Sequence, residues 1–112
     1  MTEQEKRTKL VEAMGWTNHV VDSVHTWMPP KYSEYHKTFA RSEIYLPDPF
    51  TDERHCHALI KHLNKMGYDI VIGINASGRH DVDLHEGLKW LSHKQGDNWM
   101  HGVCELALKV IK

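Results

Sequence analysis

The chain has 112 residues, of which 40% are apolar and 26% charged. Those proportions fit one ordinary globular domain, residues 1–112, and leave no room for a second. Fourteen Lys and Arg stand against fifteen Asp and Glu, for a net charge of −1. At the level of global charge, that excludes a strongly basic nucleic-acid binder and an acidic mimic of nucleic acid. No apolar run approaches the ~20 residues of a membrane span, the longest being broken by Asp69 and Gly73. Met1–Lys9 is nearly all polar and lacks the apolar core of a secretory signal.

In chain order, Thr2 followed by Glu5 is the signature of a capping box, and it predicts a helix over 3–14 that Gly15 ends. The first two turns of that helix are polar, so they are solvated or touch a partner. Residues 17–28 are ambiguous: Val20, Val24 and Trp27 match a helical stripe, whereas Val20-Val21 and Thr26-Trp27 suit a strand. Pro29-Pro30 stops whatever precedes it. The stretch from Lys31 to Pro49 is polar and aromatic-rich, with a short alternating piece at Glu43–Leu46.

A second helix follows over 52–66, capped by Thr51, with Cys56, Leu59, Ile60, Leu63 and Met66 as its apolar stripe. Gly67 closes it. Tyr68, Ile70, Ile72 and Ile74 then alternate with Asp69, Val71, Gly73 and Asn75, which predicts a strand with one wholly apolar face. Asn75-Ala76-Ser77-Gly78 is turn chemistry, and His80–His85 alternates again as the second strand of a hairpin. Leu88–Ser92 is apolar but too short to assign. Asp97 or Asn98 caps a last helix in which Met100, Val103, Cys104, Ala107 and Ile111 form a stripe that Leu106, Leu108 and Val110 widen. Cys56 and Cys104 both fall in these helices and are read as free core thiols of a reducing cytoplasm.

Ten histidines raise the question of a metal. His55 and His62 are seven residues apart, about 10.5 Å along a helix, too far to share one zinc. Asp81, Asp83 and His85 point to one face of a strand and form the better candidate for a divalent cation, although a solvated strand face has the same pattern. There is no nucleophile elbow, phosphate loop or dinucleotide fingerprint. Trp27, Tyr32, Tyr35, His36, Arg41 and Tyr45 bring aromatic faces and a guanidinium together in one stretch, the mixture that suits a nucleotide or a protein hot spot. The same rings can also simply cap a core.

The order of three motifs adds to this: Met14-Gly15-Trp16, Pro49-Phe50-Thr51-Asp52, and Gly102-Val103-Cys104-Glu105-Leu106-Ala107-Leu108. Together they resemble the small bacteriophage proteins grouped as the phage ABA sandwich domain. Those proteins are similar at the Met-Gly-Trp, at a Pro-Phe-Ser/Thr helix start and at an Ala-Ile-Cys-x-Ala-x-Leu terminal helix. Gly102 and Val103 stand here where that family favours Ala and Ile. The resemblance implies a phage origin and a layered α/β sandwich, and it carries no catalytic residues.

The expected fold is α+β, a small, mainly antiparallel sheet on the 68–85 hairpin with helices 52–66 and 97–111 packed against it and helix 3–14 at the flank. The expected function is that of a non-catalytic phage accessory protein without cofactor. It would counter a host defence by binding and sequestering a small nucleotide signal, as a homo-oligomer in the host cytoplasm, with no membrane or nucleic-acid partner. Two alternatives stay open. One is an inhibitor that binds a host or phage protein; the other is a metal-dependent phosphoesterase using Asp81, Asp83 and His85.

Overall fold

A computed structural model describes residues 1–29 and 46–111. Helix α1 spans Glu3–Ala13, and its capping box forms as expected: the Glu5 amide donates to Thr2 Oγ1 at 3.1 Å. At the other end Gly15, with φ +95°, turns the chain out of the helix. The Gly15 amide donates to the Glu12 carbonyl and the Trp16 amide to that of Val11, at 2.9 and 3.2 Å. Those two bonds define a Schellman motif, and Val11 and Trp16 are both buried in the core beside it. The polar first turns are not wholly solvated. Lys6 Nζ donates to Glu105 Oε1 at 2.9 Å, and Arg7 donates to the Leu46 carbonyl at 3.0 Å.

The ambiguous segment is a hairpin, not a helix: β1 (Thr17–Val21) pairs antiparallel with β2 (Val24–Met28). Asp22 and Ser23 connect them with φ of 50° and 65°, the positive pair that a primed two-residue turn needs. Helix α2 spans Glu53–Lys65. Its N-cap is Asp52, whose carboxylate accepts from the Arg54 amide at 3.0 Å, and not Thr51. The Thr51 hydroxyl is engaged elsewhere, donating to Asp48 Oδ2 at 2.8 Å while the Phe50 amide donates to Asp48 Oδ1. Cys56, Leu59 and Leu63 are buried as the stripe predicts, but Met66 at the C-cap is exposed.

The main sheet has the order β3-β4-β5, with β3 Tyr68–Ile74, β4 His80–Glu86 and β5 Lys89–Gly96, all antiparallel. In the first turn the Asn75 carboxamide oxygen accepts from the Ser77 and Arg79 amides, at 3.0 and 3.1 Å. The third strand is the main addition to the expected sheet. It extends the short apolar piece at Leu88–Ser92 through His93, Lys94 and Gln95, where a β-bulge interrupts the alternation. Helix α3, Trp99–Val110, is capped by Asn98 and not Asp97: the Asn98 side chain accepts from the Met100 amide at 2.9 Å.

Helices α2 and α3 cover one face of this sheet, called inner below, and α1 packs on α3. Val82 and Leu84 point into the core from β4, and Val103, Cys104, Leu106 and Ala107 meet them from α3. With partners in α1, α2, β4 and β5, α3 is the central element, as its wide apolar stripe predicts. The fold is α+β. The apolar face of β3 is covered only in part: Tyr68 and Ile70 are half-buried, whereas Ile72 and Ile74 remain 40% and 70% exposed. Among the described residues, no helix is long and apolar enough to cross a membrane.

Candidate functional site

The outer sheet face, opposite the helices, gathers polar and aromatic groups around two carboxylates. Alternation along β4 puts Asp81, Asp83 and His85 there, because Val82 and Leu84 face the core. The pairing of β5 decides what they meet. Glu86 opposes Lys89 and His85 opposes Trp90, but Leu84 opposes Ser92, so Leu91 is the extra residue of the bulge. Beyond it, His93 faces Asp83 and Gln95 faces Asp81. Without the bulge Ser92 would take the place of His93, and His93 would turn toward the helices.

The geometry that results is closely bonded. Asp83 Oδ1 accepts from Trp90 Nε1 at 3.1 Å and lies 2.9 Å from His93 Nδ1. The other ring nitrogen of His93 lies 3.4 Å from Asp81 Oδ1, which also accepts from Gln95 Nε2 at 3.0 Å. Among the described residues these contacts all fall on the Oδ1 atoms, which leaves the Oδ2 oxygens to a ligand or water. Trp90 is 54% exposed although its indole N–H is tied down, and Val71, paired with Asp83 from β3, is 53% exposed.

The hydrogen bonds from Trp90 and then His93 hold the Asp83 carboxyl below the usual carboxylate range. A carboxyl depressed in the folded state stabilises the fold above its unfolded pKa and loses that contribution as pH falls through the folded value. Asp83→Asn is therefore expected to lower stability modestly near neutrality and to flatten its decline below about pH 4, where the two proteins converge. Urea unfolding of both proteins between pH 2 and 7 checks this.

Of the predicted binding residues, only Trp27 lies within the described residues. Its side chain is buried in the core, 7% exposed, so it offers no face to a ligand. Tyr32, Tyr35, His36, Arg41 and Tyr45 lie outside the described residues. The metal candidate Asp81, Asp83 and His85 shares the outer face of β4. The imidazole that bridges the two carboxylates is His93, and among the described residues no group of three or more His, Cys, Asp or Glu side chains is placed to hold a metal ion. His93, Trp90 and Gln95 escape a reading of the sequence because they sit on the unassigned strand.

A second concavity, about 380 Å³, opens between β5 and the first turns of α3, with His80, Lys94, His101 and Glu105 among its walls. Its charged groups are partly engaged: Lys6 takes Glu105, and His80 Nδ1 accepts from the Trp99 amide at 3.0 Å. Cys56 and Cys104 are both free and buried, with Cys104 beside Cys56 where α3 meets α2. That contact and burial push the Cys104 thiol far up, away from the thiolate that nucleophilic chemistry needs. Neither thiol is expected to react with Ellman's reagent in the native protein, and both should react after unfolding.

No model of a known protein family matches the chain, and no curated protein sequence or solved structure does either. The likeness to the phage ABA sandwich domain therefore rests on its three short motifs.

Proposed function

We propose that the chain is a non-catalytic binding protein that engages a basic segment of a protein partner through the outer face of its main sheet. The observation that carries this reading is the arrangement at Asp83. Two carboxylates are held in fixed positions by side chains of the neighbouring strand, next to an exposed indole whose orientation is fixed by its own hydrogen bond. A guanidinium can pair with carboxylate oxygens and lie on the adjacent indole face, so an arginine fits both halves of the site. A phosphate would meet two negative charges there. The chemistry therefore favours the inhibitor reading over nucleotide sequestration on this face.

With the phage resemblance, the partner would be a host defence protein or a phage protein in the infected cell's cytoplasm. Isothermal titration calorimetry with a tetra-arginine peptide, a tetra-glutamate peptide and ADP tests the chemistry directly. The expected result is saturable binding of the arginine peptide alone, weakened at least tenfold in Asp83→Asn and in Trp90→Ala. ADP binding unaffected by either substitution, with no binding of the arginine peptide, would overturn the proposal.

A further inference from the structure

The two edges of the main sheet are built differently. On β5 the open edge carries Lys89 and Lys94 and is distorted by the bulge at Leu91, which are the usual devices against strand addition. The edge on β3 has none of them. Its seven residues pair regularly with β4, contain neither Lys nor Pro, and expose Val71, Ile72 and Ile74. Among the described residues no strand pairs with its outer side.

The backbone there has a defined polarity. The Asn75 amide donates to the Arg79 carbonyl at 2.9 Å, which makes 75 and 79 a hydrogen-bonded pair. Alternation along the antiparallel ladder then gives the same type to Gly73 with Asp81, Val71 with Asp83, and Asp69 with His85. The N–H and C=O groups of Tyr68, Ile70, Ile72 and Ile74 consequently point away from β4, toward the open edge.

We infer that this edge joins a second copy of the chain, β3 to β3, antiparallel about a two-fold axis at Val71. Three independent features favour this occupant. First, full overlap of residues 68–74 sets Ile70 against Ile72, and Tyr68 against Ile74. Each of those pairs joins two residues whose backbone groups face outward, so the hydrogen-bond parity is satisfied along the whole strand. Second, the one charge of the strand, Asp69, falls opposite Gly73 and not opposite itself. Third, the exposed Ile72 and Ile74 come beside Ile70 and Tyr68 of the other strand on the inner face, as cross-strand apolar pairs. Two three-stranded sheets become one six-stranded sheet, with both outer faces on the same side.

The test is molar mass by analytical ultracentrifugation across a wide concentration range, together with three substitutions. The wild-type chain is expected to be a dimer. Ile72→Pro removes an amide that points to the edge and not to β4, so the monomer tolerates it while the dimer loses symmetric bonds. Gly73→Asp has open space for its Cβ and places a second carboxylate opposite Asp69 of the other copy. It should loosen association about tenfold, and Gly73→Lys should tighten it. Val71→Cys should form a disulfide-linked dimer under oxidation, and Asp69→Cys should stay single. A single-chain mass at every concentration would overturn the inference. So would a dimer indifferent to Ile72→Pro, or one that responds equally to Asp and Lys at residue 73.

Discussion

Trp16→Ala is expected to cost about 3–5 kcal/mol, the largest loss among single substitutions considered for this fold. Trp16 is one of the largest fully buried side chains, and it meets His55 of α2 edge-on, with ring centroids 5.6 Å apart. It also follows the Schellman turn directly, so one residue ties the end of α1 to the core and to the start of β1. Truncation leaves a cavity at the point where three elements meet, and such a site cannot collapse cheaply. Since small domains have about 5–15 kcal/mol in all, the variant should unfold at a much lower urea concentration. Val20→Ala, on an exposed position of β1, should stay within about 0.5 kcal/mol of the parent and serves as the control. An equal loss in both would contradict this account of the core.

Gly102→Ala should destabilise the protein by about 1–2 kcal/mol, although alanine is the better helix former. A Cβ at this position would lie 2.8 Å from Val82 Cγ2 and 3.2 Å from Val82 Cβ. Val82 is a buried, β-branched residue on the central strand, so its methyl has little freedom to yield. The close approach of α3 to β4 therefore depends on the missing side chain. In a Val82→Ala background the 2.8 Å contact with Cγ2 is gone and only the 3.2 Å contact with Cβ remains, so the same substitution should cost clearly less than in the parent. A double-mutant cycle by urea unfolding measures this coupling. No coupling between residues 82 and 102 would mean that the helix sits farther from the sheet.

Much of this architecture was legible because local and global signals agree. The capping box at Thr2, the stripe on α2, the alternation of β3 and β4 and the wide stripe of α3 all match what the fold uses. The third strand was not legible, for a physical reason. The inner positions after the bulge are Ser92 and Lys94, so the period of two loses both its regularity and its hydrophobic contrast. Lys109 Nζ donates to Ser92 Oγ at 2.8 Å, which accommodates a polar residue where an apolar one is expected. The hairpin of β1 and β2 was ambiguous because Val20, Val24 and Trp27 also fall on one helical stripe, and among the described side chains of β2 Trp27 is the one buried in the core.

The same bulge explains what could be read of the site. Asp81 and Asp83 were visible as one face of a strand. Their partners were not, because only an extra residue at Leu91 brings His93 and Gln95 opposite them. A turn at Gly87-Leu88 was the available signal, since glycine with positive φ at the first of two loop residues marks a tight hairpin. It would have indicated a third strand but with the pairing shifted by one residue. The site is thus a product of an irregularity that pattern reading alone does not locate.

The most direct test of the binding account is a ¹H–¹⁵N spectrum of the protein during titration with the tetra-arginine peptide. The Trp90 indole N–H reports on the site without any substitution, because it already donates to Asp83. The account predicts a saturable shift of that resonance, accompanied by the amides of Asp81, Asp83 and His93. Shifts confined to His80, Lys94 and His101 around the second concavity, with Trp90 unmoved, would contradict it.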